Sequence, residues 1–190
     1  MSKSITFEQG TVLQNAMQVF WDKGYHATSM QNLVDATGLN RSSIYNSFGD
    51  KFNLFYLSLK QYQTNQRSMV SSWLVKSDGP KGAIRLLFEG ILSDIITNPQ
   101  SNGCFFSNST TEMANESPEV KHLLQENQQS MEQLFHDLLV EAQLLGQIDP
   151  EENTRDLAAY YFSSLQGLRL VGVLKPDEKY LQRIIDRILN

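Results

Sequence analysis

The stretch TSMQNLVDATGLNRSSIYNSFGDK, residues 28 to 51, holds two short helical patterns separated by TGLN. Isolated helices below about 12–15 residues are marginal in water, so each must lay its apolar face against the other and against a third element. The spacing predicts helices over 29–37 and 41–48. Thr28 and Gln31 have the capping-box spacing that opens the first, with the threonine hydroxyl on a backbone N–H and the glutamine reaching back. Gly38 can take the left-handed conformation of a sharp stop, Leu39 tucks inward, and Asn40 caps the second helix. A turn this short is the length a helix-turn-helix uses. Leu33, Ala36, Leu39, Ile44 and Phe48 then share a core with Val19 and Phe20 of a preceding helix.

That packing leaves Arg41, Ser42, Ser43, Asn46 and Ser47 facing outward, a set that is polar, hydrogen-bonding and free of carboxylates. A helix presented to the major groove needs donors and acceptors for base edges and no like-charge clash with phosphates. Arg41 suits bidentate pairing with a guanine, and Asn46 with an adenine.

The longer stretch TSMQNLVDATGLNRSSIYNSFGDKFNLF resembles the N-terminal domain of the TetR family of transcriptional regulators, over about residues 6 to 56. In that family a threonine or serine opens the second helix, a glycine sits in the turn, and a tyrosine, a phenylalanine and a lysine follow in the order of Tyr45, Phe48 and Lys51. The resemblance implies that Thr28, Tyr45 and Lys51 meet phosphates, while Arg41, Ser42, Ser43, Asn46 and Ser47 face the groove. Four departures stand out: Val34 where alanine is commonest, Ser42 where glycine is frequent, Asn46 and Ser47 where aromatic residues or histidine are common, and Phe52 where glutamate is usual. The last three bear on the operator sequence.

Spacings of three and four recur along the whole chain and strand-like alternation is rare, so the expectation is an all-α fold of about nine helices. They are placed at 6–24, 29–37, 41–48, 51–76, 80–97, 103–115, 118–146, 150–174 and 177–189. The five prolines all lie beyond residue 79 and punctuate this pattern. SPEV puts Ser117 at a cap with Pro118 in the first helical position, and DPEE offers Asp149 as a second cap with Glu152 returning to it.

The net charge of −5 is unevenly spread: residues 1–60 carry five Lys/Arg and four Asp/Glu, and the remainder eleven and seventeen. The acidity therefore belongs to the later part, and the early part remains free to face nucleic acid. With the helix-turn-helix pattern and the family resemblance, the expected division is a helix-turn-helix DNA-binding domain over 1–50 and a helical ligand-binding and dimerisation domain over 51–190. With a single cysteine, no apolar leader and no span long enough for a bilayer, a cytoplasmic protein is expected.

From Leu157 to Leu174 the only charge is Arg169, and a helix so apolar must be covered on more than one side. A four-helix bundle across a two-fold axis would cover it, with Tyr161, Leu165, Leu168 and Gly172 joined by Leu181, Ile184, Ile185 and Ile188 of the final helix. The alternative is burial within its own domain. Candidate lining for a ligand pocket is Tyr62, Trp73, Phe88, Cys104, Phe105, Phe106, Met113, Phe135 and Tyr160, of which fewer than half are expected to reach a cavity, since such residues at helical spacing are more often core.

Cys104 has two readings. Phe105 and Phe106 beside it suggest a small buried residue, whereas a position at a helix start favours the reactive thiolate. The segment GCFFSNSTTEMANESPEVKHLL looks like the second domain of a TetR subgroup carrying a glycine-cysteine pair, some members of which sense electrophiles or oxidants through cysteine. Enzyme chemistry finds no support. His122 and His136 stand roughly 21 Å apart along one helix, too far to share a metal, and Glu119-x-x-His122 has no second copy. There is no P-loop, nucleophile elbow or H-E-x-x-H, so no cofactor is expected. The sequence thus points to a homodimeric repressor of operator DNA, released by a small molecule or electrophile; the alternative is a second domain that binds a protein partner.

Overall fold

The computed structural model describes residues 9–99 and 102–190, and all regular structure among them is helical. The helices are α1 (Gln9–Lys23), α2 (Met30–Thr37), α3 (Arg41–Phe48), α4 (Lys51–Leu74), α5 (Pro80–Thr97), α6 (Phe105–Met113), α7 (Pro118–Leu144), α8 (Thr154–Leu174) and α9 (Glu178–Leu189). Each matches one of the nine expected segments; residues 6–8 of the first lie outside the described residues. Ser117 caps α7 as expected, its hydroxyl accepting from the Val120 N–H at 3.2 Å with Pro118 in the first turn.

Two helix starts differ from the sequence reading. The cap of α2 is Ser29 and not Thr28: the Ser29 hydroxyl accepts from the Asn32 N–H at 3.1 Å and the Asn32 side chain accepts from the Ser29 N–H at 3.0 Å. Thr28 is turned inward instead, donating its hydroxyl to the Gly24 carbonyl at 2.6 Å. The reciprocal pair is one residue later than expected because Asn32 makes as good a returning group as Gln31. At the other start, Asp149 caps no helix. Its carboxylate accepts from the Glu151 N–H at 2.9 Å, and the Gln143 amide takes the carbonyls of Asp149 and Pro150 at 2.9 Å, holding a turn. Asn153 starts α8 instead, accepting from Arg155 and Asp156 at 3.1 and 3.3 Å.

The apolar interior forms two clusters. One joins Phe20 of α1, Leu33 of α2, Ile44 and Phe48 of α3 and Phe55, Leu59 and Tyr62 of α4 to Phe105, Phe106 and Met113 of α6 and Val120 of α7. The other joins α5, the later part of α7, α8 and α9. The core of the first three helices therefore runs on past residue 50 into α4 and α6. Phe105 is its hinge, with ring centroids 5.8 Å from Phe55, 6.3 Å from Trp21 and 5.7 Å from Tyr62.

Within the second cluster, Tyr161, Leu165, Leu168 and Gly172 of α8 and Leu181 and Ile185 of α9 are buried inside the subunit. These six expected interface residues face their own core, because α8 has to cover α5, α7 and α9 with one side. A Cβ at Gly172 would lie 2.6 Å from Ile95 of α5, so the close approach this glycine allows is internal. Ile184 and Ile188 are half-buried at the edge of the same cluster. The face α8 leaves open carries Ala159, Tyr160, Ser163, Gly167, Leu170 and Leu174.

Removing the Phe105 ring leaves a void against three other rings. Phe105→Ala is expected to lower unfolding stability by about 3–5 kcal/mol, read from the midpoint of urea denaturation; a loss below about 1 kcal/mol would show that this packing contributes little.

Candidate functional site

The helix-turn-helix is set by local chemistry. Gly38 has φ 70°, a left-handed conformation that ends α2, and its N–H donates to the Val34 carbonyl at 3.0 Å. Asn40 then caps α3 by accepting from the Ser43 N–H at 2.8 Å. Ile44 and Phe48 are buried beneath α3, while Arg41, Ser42, Tyr45, Asn46 and Ser47 are exposed and Ser43 is half-buried. The outward row is contiguous, polar and without a carboxylate.

Two of the expected phosphate contacts have internal partners. Thr28 is 1% exposed, with its hydroxyl on the Gly24 carbonyl. Lys51 Nζ donates to the Tyr25 and Thr28 carbonyls, each at 2.9 Å, and lies 4.2 Å from the centre of the Tyr25 ring. Lys51 thereby ties the start of α4 to the loop before α2. Ser29, which the sequence reading passed over, is the exposed hydroxyl at the N-terminus of α2; its S-x-x-N spacing was the available signal.

The same loop is held from the body. The two oxygens of Glu112, on the last turn of α6, accept the Tyr25 and His26 N–H groups at 2.8 Å each. His26 Nε2 also stands 3.0 Å from the Glu116 carboxylate.

A cavity of about 340 Å³ lies in the body. α4 contributes Tyr62, Gln66, Val70 and Trp73, α5 contributes Leu87 and Ile91, α7 contributes Met131 and Leu134, and α8 contributes Leu165, Gln166 and Arg169; Cys104 and Phe106 close it at the start of α6. Of the expected lining, Tyr62, Trp73, Cys104 and Phe106 reach it. Phe88, Phe105, Met113 and Phe135 are core, and Tyr160 lies on the outer face of α8, 49% exposed. The further polar lining, Gln66, Arg67, Ser71, Asn127, Ser130, Gln166 and Arg169, was not among the expected residues. For Arg169 the signal was present in the lone charge of an apolar helix.

Cys104, Tyr62 and Arg169 form one buried polar group. The Tyr62 hydroxyl donates to Cys104 Sγ at 3.5 Å, and Arg169 Nη2 donates to Gln66 Oε1 at 3.1 Å. Burial pushes the Cys104 thiol up, but the Arg169 guanidinium, together with hydrogen bonds from Ser107 and Tyr62, outweighs it and leaves the thiol below its ordinary value. Burial, reinforced by Cys104, holds the Tyr62 phenol well above its ordinary value, so Tyr62 remains a neutral donor. Among the described residues no group of His, Cys, Asp and Glu is arranged to hold a metal, and no helix is long and apolar enough to cross a membrane.

A polar recognition helix in a three-helix head, joined through a long helix to an all-helical body with a partly open cavity, defines a DNA-binding regulator. Residues 12–56 match the bacterial regulatory proteins, tetR family, and residues 80–188 match the family described as Tetracyclin repressor-like, C-terminal domain. The chain belongs to the TetR family of transcriptional regulators. It is 27% identical to the uncharacterized HTH-type transcriptional regulator YezE of Bacillus subtilis, over all of this chain and 98% of that one. It is also 27% identical to the HTH-type transcriptional repressor ComR of Escherichia coli, over 86% of this chain and 79% of that protein. The fold is shared with a cysteine mutant of the TetR family regulator CifR complexed with 26-base-pair operator DNA, at TM-score 0.86 and 24% identity over 98% of both chains.

Substitutions in the head separate base reading from phosphate contact. Asn46→Ala is expected to relax preference at one base pair, at a cost of about 1–3 kcal/mol on the preferred sequence. Lys51→Ala is expected to weaken binding to all sequences and to lower the salt slope by about 1 per site; an unaltered slope in filter binding removes Lys51 from the phosphate contacts and leaves it as the clamp on the Tyr25 and Thr28 carbonyls.

Proposed function

We propose that the chain is a homodimeric repressor whose head, residues 1–50, binds operator DNA through α3 and whose body, residues 51–190, releases it when a small molecule enters the cavity. The observation that carries this reading is the placement of α6: its first residues line the cavity, and its last turn holds the loop before α2 through Glu112. A ligand that displaces Cys104 or Phe106 moves the same short helix that grips the head. Coupling of about 1–3 kcal/mol between the two sites is what such switches require. The cavity favours a small molecule over a protein partner for the body.

A second subunit is supported by the open face of α8. Leu170 and Leu174 are 68% and 83% exposed, and with Ala159, Ser163 and Gly167 they form a stripe of small and apolar residues on a helix whose opposite face is buried. Pairing of this stripe, with Ile184 and Ile188 of α9 at its margin, presents two copies of α3. Those must sit about 34–36 Å apart to enter successive turns of the major groove.

Thiol-reactive molecules are a further class of releasing ligand, since Cys104 faces the cavity with its thiolate favoured by Arg169. The thiolate sulfur would add to one carbon of an activated C=C bond such as that of N-ethylmaleimide, breaking the π bond while the neighbouring carbon takes a proton from water, and would remain bonded to it.

Selection of bound fragments from the source genome with purified protein tests the DNA reading, and failure to retain any fragment at low ionic strength overturns it. Leu170→Glu is expected to leave a folded monomer in sedimentation and to abolish retention of those fragments; an intact dimer would remove the α8 stripe from the interface. Cys104→Ser is expected to abolish release by N-ethylmaleimide, and unchanged release in that variant would end the role of the thiol.

A further inference from the structure

Arg169 is 7% exposed, and it lines a cavity whose other walls are mostly apolar. A buried guanidinium is costly unless it is paired. Among the described residues the ion pairs join His26 to Glu116, Arg85 to Glu89 and Asp186, and His122 to Glu126. None includes Arg169. Its hydrogen-bond partners are neutral, the Gln66 amide and the Tyr62 phenol. Asp94 acts on it only from beyond ion-pair distance, in a small neighbouring cleft. None of the groups that share its cavity is a carboxylate: Tyr62 is a neutral phenol, Cys104 a thiol whose ionisation Arg169 favours, and Arg67 a second cation at the exposed rim. The subunit thus keeps a cation at the wall of a cavity without giving it a carboxylate.

The geometry points to a small organic carboxylate with an apolar body as the ligand of this cavity, its anionic head on Arg169 and its body along Trp73, Leu87, Ile91 and Leu134. This rests on the reading of the cavity as a ligand site and adds the chemistry of its occupant. Arginine offers a planar fork of donors that matches a carboxylate bidentately. Gln66 holds the guanidinium from one side, fixing its plane before anything binds. The volume of about 340 Å³ is at the lower end of the range for small-molecule sites, about 300–1,000 Å³. An acid of modest length, aliphatic or aromatic, fills it, with its body against Leu87, Ile91 and Leu134, which offer no donor.

The test uses the full chain and two matched pairs of probes: octanoate with 1-octanol, and 3-phenylpropionate with 3-phenyl-1-propanol. Binding is followed by calorimetry and by fluorescence of Trp73, which lines the cavity. In at least one pair the carboxylate is expected to bind about tenfold or more tighter than its alcohol, as a charge-assisted hydrogen bond implies. The pair that responds separates an aliphatic from an aromatic body. Arg169→Gln is expected to erase that preference while alcohol binding persists. Should the glutamine variant not fold, Arg169→Lys, which keeps the charge and loses the fork, is expected to reduce the preference. Equal binding within both pairs, absence of binding by all four probes, or a preference unchanged in the Arg169 variant overturns the proposal. Alcohols that bind and release DNA, without advantage to the acids, would sink the carboxylate and leave the ligand-released repressor standing. Acids that bind through Arg169 yet leave the DNA complex intact would keep the carboxylate and sink release.

Discussion

One carboxylate accepting two backbone N–H groups governs how the two parts of this subunit are related. Glu112 receives Tyr25 and His26 at 2.8 Å, and hydrogen bonds to a charged group are each worth about 1.5–3 kcal/mol. Both donors are main chain, so what is held is the course of the loop and not the rotamer of a side chain. Gly24 permits the approach: its φ is 80°, and a Cβ there would lie 2.8 Å from Glu112 Oε2. From the opposite side Lys51 takes the Tyr25 and Thr28 carbonyls. The loop before α2 is therefore gripped once by the end of α6 and once by the start of α4.

That double grip gives α6 a mechanical role out of proportion to its length. Nine helical residues span roughly 13 Å at 1.5 Å per residue, with Cys104 at the cavity end and Glu112 at the loop end. Phe105 is wedged among Trp21, Phe55 and Tyr62, so the start of α6 is packed against rings of both α1 and α4. In the proposed release mechanism a change at the cavity is felt at Tyr25 without passing through α4. The free energy needed for release, about 1–3 kcal/mol, is of the same order as one of the two Glu112 hydrogen bonds.

The helix-turn-helix was legible because its constraints are local. Gly38 and Asn40 dictate a stop and a start whatever surrounds them, and α3 spans Arg41–Phe48 as its spacing predicted. The shift from Thr28 to Ser29 has the same origin: two overlapping cap patterns compete, and burial of Thr28 beside Gly24 decides between them. Longer-range features were not legible. Periodicity identified α8 as apolar nearly all round but could not tell which stripe belonged to which neighbour. The bulky series Tyr161, Leu165 and Leu168 went to the subunit's own core, and the small residues Ala159, Ser163 and Gly167 were left outside. The aromatic candidates divided in the same way, with Tyr62 and Trp73 at the cavity and Phe88 and Phe135 in the core. Distinguishing wall from filling requires knowing where α4, α7 and α8 fail to meet, and no spacing rule encodes that.

The weak charge of the head would give the proposed switch its sensitivity. With five cations against four anions in the first sixty residues, one copy neutralises few phosphates, and affinity for DNA depends on that neutralisation. In the proposed dimer the second head binds at an effective concentration set by the rigid body, which multiplies affinity without any new contact. The same arithmetic runs in reverse. If the loop at Tyr25 shifts enough that only one α3 enters the groove, the gain from the second head disappears at once and the remaining head holds poorly. A strongly basic head would stay bound through such a shift. In the proposed mechanism, near-neutrality at the DNA end would therefore make a modest ligand energy at the cavity sufficient to empty the operator.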